Sequence, residues 1–184
     1  AVAATANPVT SVPSVLANNT YWTANDATIT RSLNITDGNP GPGAKPFAFD
    51  STPYVYNTIN KTVNINSIEK WTITNNNVFG HTFHIHDVQF KIVARNGSAA
   101  AVGAHESGWK DVMYVPVNEN VSFVAKFDDY ADLQHPFMYH CHFAIHEDDG
   151  MMGQFVVSPF GAGVDNISLT KDFTLFPNPA TNKL

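Results

Sequence analysis

The chain has 184 residues, a formal net charge of −6 and 43% hydrophobic content, which suits one β-rich domain with a proper core. The acidic balance excludes the basic face that nucleic acid requires, and no run approaches the roughly twenty apolar residues of a membrane-spanning helix. The single cysteine cannot close an internal disulfide, and free exposed cysteines are scarce in secreted chains, so a bound thiol is the expected state.

Residues 1–20 are rich in Ala, Val, Asn and Pro without periodicity and read as a linker or N-terminal extension. From 21 to 160 the chain alternates short Val-, Ile-, Thr-, Phe- and Tyr-rich runs with Asn, Gly and Pro, a pattern of strands and turns. Strands are expected at Ala27–Ile35, Thr62–Thr74, Gln89–Arg95, Asp111–Pro116, Val121–Phe127, Phe137–Phe143 and Gly153–Val157. No stretch carries the amphipathic period of a long helix, and a helical turn is expected near Asp129–Gln134. The fold class is all-β, a Greek-key β-sandwich with at most short helical turns.

Two histidine clusters interrupt this pattern. The first is His81-Thr82-Phe83-His84-Ile85-His86; the second, His140-Cys141-His142 with His146 and Met151, contains the sole cysteine. Alternate side chains of a strand face opposite ways, so His140 and His142 share one face and Cys141 takes the other. In an extended first cluster, His84 and His86 share a face that His81 does not. The histidines therefore sort into a mononuclear site of His81, Cys141, His146 and Met151, and a group of four imidazoles, His84, His86, His140 and His142. Two imidazoles, a thiolate and a weak thioether suit an electron-transfer copper. Zinc is the competing metal, although a thioether argues against it. Cys141 is joined to both neighbouring histidines through a few covalent bonds, which offers a short electron path. His105 and His135 belong to neither set and are expected to be structural.

HxxHxH followed by HCHxxxHxxxxM resembles the C-terminal cupredoxin domain of multicopper oxidases, the laccase and cuprous oxidase family, over Tyr21 to Pro159. Glu69-Lys70-Trp71, Gly108-Trp109-Lys110-Asp111 and the HEDDGMMGQF run extend the likeness to the bacterial branch. The resemblance implies a type 1 copper on His81, Cys141 and His146 with Met151 axial, a type 2 copper on His84, and a type 3 copper pair on His86, His140 and His142. It also implies a proton-relay role for Glu147, whose plain alternative is a solvated loop carboxylate. The family usually reads HPxHxH, and here Thr82 stands in place of the proline.

Residues 161–184 contain Phe173-Thr174-Leu175-Phe176-Pro177-Asn178-Pro179, which resembles the opening of a type IX secretion sorting signal, cut short. With no signal peptide at the start, a processed, secreted chain at the cell surface, outside it or in the periplasm is expected. A trinuclear cluster of this family takes eight imidazoles and this chain carries four. The expected function is thus the part of a laccase-like oxidase that takes electrons at type 1 copper and passes them to a cluster reducing dioxygen to water. The other histidines would come from the remaining domains as a separate chain, or from copies of this one. Donors are expected to be phenols or similar small molecules, since no Met-rich segment for metal ions is present. A stand-alone blue copper carrier is the alternative, and HCH disfavours a copper nitrite reductase.

Overall fold

The computed structural model describes residues 17–38 and 45–160, with 11 and 13–15. The sorting-signal-like tail at 161–184 and most of the linker at 1–20 lie outside the described residues. Ten strands and one short helix follow in order: β1 (Ile29–Asp37), β2 (Phe47–Phe49), β3 (Lys61–Asn64), β4 (Ser67–Asn75), β5 (His81–Ile85), β6 (Phe90–Arg95), β7 (Val112–Val115), β8 (Asn120–Phe127), β9 (Asp132–Cys141), α1 (Ala144–Asp148) and β10 (Met152–Ser158). They form two five-stranded sheets, β2-β1-β4-β8-β6 and β3-β10-β9-β5-β7. Pairing is antiparallel except for β1 with β4 and β3 with β10. The architecture is the expected all-β sandwich.

Alternation drives it. Along β4 the odd positions Glu69, Trp71, Ile73 and Asn75 are buried and the even ones only partly so, so one face turns to the core as a half-buried strand requires. Trp71, Phe83, Phe90, Phe123, Phe127, Tyr139 and Phe155 fill the space between the sheets, each at most 2% exposed. Most of these rings meet edge-on or tilted, as Phe49 does with Phe83 and Phe90 with Phe123, while Trp71 stacks on Phe123.

Two expectations are corrected. The run Thr62–Thr74 is not one strand: Asn66, at φ 62°, turns the chain, and β3 and β4 fall in different sheets. The helical turn expected near Asp129–Gln134 is absent; Tyr130 takes a left-handed φ of 49° and β9 begins at Asp132. There the Asp132 carboxylate accepts the backbone N–H groups of Gln134 and His135, and the residue before Pro136 is held extended. The helix forms later, over Ala144–Asp148.

Candidate metal centre

Strands β5 and β9 lie side by side in antiparallel register, with Phe83 opposite Cys141 and His84 opposite His140. This register splits each sequence cluster between the two sides of the sheet and brings one donor group together on each side. Cys141 and His81 turn inward, both fully buried, while His84 and His140 form a cross-strand pair on the other face.

The ten residues after Cys141 fold back on it. His146 N–H donates to the Phe143 carbonyl, Met151 N–H to the His146 carbonyl, and Cys141 N–H to the Met151 carbonyl. Gly150, at φ 86°, makes this return possible, because a left-handed residue there favours glycine. The loop thereby presents His146 beside Cys141 and buries Met151 completely.

On the inner side, Cys141 Sγ lies 3.7 Å from His81 Nδ1 and 3.5 Å from His146 Nδ1, and the two nitrogens are 3.2 Å apart. Donor atoms held at roughly 2.0–2.3 Å around one cation are separated by about this much. Burial, with His146 beside it, holds His81 down to about 4, so its imidazole is neutral and ready to ligate. Burial also lowers His146. Two neutral imidazole nitrogens facing a thiol sulfur, in a loop that also buries a methionine, fit copper by donor chemistry.

On the other side His84, His86 and His140 bring their ligand atoms within 4.8 Å of one another. His86 Nε2 and His140 Nε2 are 3.2 Å apart. His84 Nδ1 is 2.7 Å from the Asp111 carbonyl, and His140 Nδ1 is 3.2 Å from the Cys141 carbonyl and from Glu147 Oε2. Each Nδ1 faces an acceptor, so it carries the proton and leaves Nε2 free, the outer-partner arrangement usual for metal-binding histidines. His142 is exposed and stands outside that trio, its ring 5.3 Å from His84 and 5.5 Å from His140. His135, with Nδ1 2.6 Å from Asp132, and His105, in a 3-10 turn, take part in neither cluster.

Sequence reading missed several residues here. Phe47 of β2 packs against both inner imidazoles, its ring centroid 5.0 Å from His81 and 4.3 Å from His146. Nothing in a three-residue strand signals that. Asp87 directly follows His86, and neither of its buried carboxylate oxygens has a donor. Burial, together with the facing carboxylate of Asp129, pushes it up to about 7; once protonated, Asp87 can donate to Asp129.

The Asp87 environment has a measurable consequence. The folded-state value is raised, so ionisation costs stability progressively from pH 4 to 7, and an uncharged isostere escapes that cost. In the metal-free chain, Asp87→Asn is expected to match the parent near pH 4 and to exceed it by on the order of 2 kcal/mol at pH 8. Denaturant titrations of both proteins at the two pH values check this; a pH-independent difference would contradict it.

Comparison with known proteins places this geometry. Residues 24–161 match the family model for multicopper oxidases. The chain belongs to the multicopper oxidase family. It is 38% identical over 104 residues to a bilirubin oxidase of Albifimbria verrucaria, covering 55% of this chain and 18% of that protein. It is 34% identical over 106 residues to the multicopper oxidase mco of Staphylococcus aureus, covering 55% and 22%. Among solved structures, a laccase from Pediococcus acidilactici is 30% identical with a TM-score of 0.69, covering 82% of this chain and 31% of that one. A laccase-like multi-copper oxidase of Ochrobactrum sp. is 29% identical with a TM-score of 0.67, covering 82% and 35%. The chain thus spans about a fifth to a third of these relatives. It is a domain of a multicopper oxidase, an oxidoreductase family whose membership implies copper of types 1, 2 and 3. No helix among the described residues is long and apolar enough to cross a membrane.

Proposed function

We propose that this domain would hold the type 1 copper of a laccase-like oxidase on His81, Cys141 and His146 with Met151 as the thioether donor, and half of a trinuclear cluster, with His84 for type 2 and His86, His140 and His142 for type 3. One observation carries the reading: Cys141 and His140, adjacent in β9, belong to two different convergent donor groups on opposite sides of one sheet. A simple electron carrier has no use for the second group.

Copper held in these groups would supply one-electron chemistry: one electron taken from each of four donor molecules, and the four, with four protons, reducing dioxygen to two waters. The chain's own residues arrange the rest. Phe47 covers the two inner imidazoles and, with the fully buried Cys141 and Met151, keeps water from the sulfur. His146 is only partly buried and lies against Phe143, itself 44% exposed, which offers donors an apolar approach to an imidazole edge. The backbone of β9 joins Cys141 to His140 and His142 without a break. Glu147, with Oε2 3.2 Å from His140 Nδ1 and partly exposed, stands between solvent and that imidazole, placed to relay protons toward it.

The donors in this reading are phenols, aromatic amines or similar small one-electron donors. Supporting this, the chain has four methionines and no run of them for metal ions. The remaining imidazoles come from other domains of the oxidase, as a separate chain, or from further copies of this one. The protein acts outside the cytoplasm, in keeping with its single, buried cysteine. Residues 21–160 are the cupredoxin domain, 1–20 the connection to it and 161–184 the sorting tail.

Copper analysis of the purified protein with visible and EPR spectra, and intact mass under native conditions, tests the proposal. About four coppers per assembly, an intense blue band, a near-ultraviolet shoulder and a mass above one chain are expected. One copper on a monomer would overturn the cluster and leave an electron carrier.

A further inference from the structure

The loop between β4 and β5, Asn76–Gly80, is held by two buried asparagines. Asn75, fully buried, donates Nδ2 to the carbonyls of Phe79 and Val115 at 2.7 and 3.1 Å, and its Oδ1 accepts Asn77 N–H at 2.9 Å. Asn77, 2% exposed, donates Nδ2 to Asp37 Oδ1 at 2.5 Å and accepts Phe79 N–H on Oδ1 at 3.0 Å. Those two bonds fix which way the Asn77 amide points, because an N–H can meet only its oxygen and a carboxylate only its nitrogen.

That oxygen also faces His81, 3.5 Å from Nε2. An amide oxygen accepts and cannot donate, so the ring satisfies it only by carrying its proton on Nε2. A neutral imidazole with Nε2–H has a bare Nδ1, and Nδ1 is the atom turned toward Cys141 Sγ and His146 Nδ1. We infer that Asn77, oriented by Asp37, is a positioning residue that locks His81 in the Nε2–H tautomer and so aims Nδ1 into the mononuclear site. The inference rests on the reading of His81 as a copper ligand only for its effect on copper; the tautomer is a property of the metal-free chain.

The relay has a structural logic. Asp37 ends β1 and Asn77 precedes β5, so it links the end of a strand in one sheet to His81 in the other. His146 needs no such device, because its loop is already closed on Cys141 through Met151. Outer partners of this kind typically change metal affinity by about ten- to a hundredfold when removed.

Long-range proton–nitrogen NMR on the full metal-free chain reads the tautomer directly, and copper titration against a competing chelator reads affinity. The parent is expected to show His81 solely as Nε2–H. Asn77→Ala should show a second tautomer and bind the inner copper about ten- to a hundredfold more weakly. The exchanged pair Asp37→Asn with Asn77→Asp keeps an acceptor toward Nε2 and a donor toward it from position 37, and should restore the single tautomer and the affinity. A parent that carries the proton on Nδ1 overturns the proposal whether or not the alanine variant folds. So does an alanine variant that keeps the single Nε2–H form and full affinity. A parent that shows the Nε2–H form but no thiolate-to-copper band would instead sink the copper reading and leave the role of Asn77 standing.

Discussion

Replacing Cys141 with serine is expected to abolish the intense visible absorption of the copper-loaded protein and to reduce donor oxidation by at least about a hundredfold. The loss exceeds that typical of removing an outer partner, because under the proposed assignment a first ligand is gone. Sulfur at this position lies 3.5–3.7 Å from two imidazole nitrogens in a fully buried pocket. A serine hydroxyl there stays protonated, is harder and reaches less far, so neither the soft donor nor the charge-transfer band survives. Serine fits the space, and the strand contacts of Cys141 are made by its backbone, opposite Phe83. The fold and the imidazole group on the other face should therefore persist. Copper analysis should show the inner metal reduced or weakly held while the outer group still binds. Absorption and EPR spectra with oxygen-uptake rates check this, and a serine variant that keeps the blue band would refute the assignment of Cys141.

The clusters were legible because their information is local and periodic. Strand parity alone separates His81 from His84 and Cys141 from His140, and the structure places those atoms on opposite sides of one sheet. Apolar runs likewise located most strands. What was not legible depends on contacts distant in sequence or on single backbone angles. Nothing local reveals that Asn66 reverses the chain inside an apparently continuous strand. The Asp129–Gln134 segment has helix-compatible composition, yet the side chain of Asp132 ties up the N–H groups that a helix would use. Phe47 reaches the site from a three-residue strand. That two amides of the run Asn75-Asn76-Asn77 are buried against Asp37, Phe79 and His81 required the fold.

Glu69 should prove the most costly polar residue to remove from the core. It occupies an inward position of β4 and is fully buried, a place where a carboxylate survives only if every oxygen is matched. Arg31 of β1 donates Nε at 2.6 Å and Nη2 at 2.9 Å, Trp71 donates Nε1 at 2.8 Å, and Ser67 Oγ lies at 3.4 Å. The same Arg31 donates Nη2 to the Thr62 carbonyl of β3 at 2.6 Å. One carboxylate thus ties β1 and β4 to a strand of the opposite sheet. Glu69→Ala leaves a guanidinium, its side chain 22% exposed, and a buried indole N–H without their acceptor. Breaking such a pair costs about 3–5 kcal/mol, which for a chain of this size lowers the melting temperature by roughly 10 °C. Glu69→Gln retains an acceptor for Trp71 but loses the charge facing Arg31, so its loss should fall between parent and alanine. Removing both partners, with Arg31→Met and Glu69→Leu, should recover much of the stability, because no unpaired charge remains. Thermal and denaturant unfolding of the four proteins decides: an alanine variant within about 1 kcal/mol of the parent, a loss no larger than an ordinary exposed ion pair gives, would show that the network contributes little to holding the two sheets together.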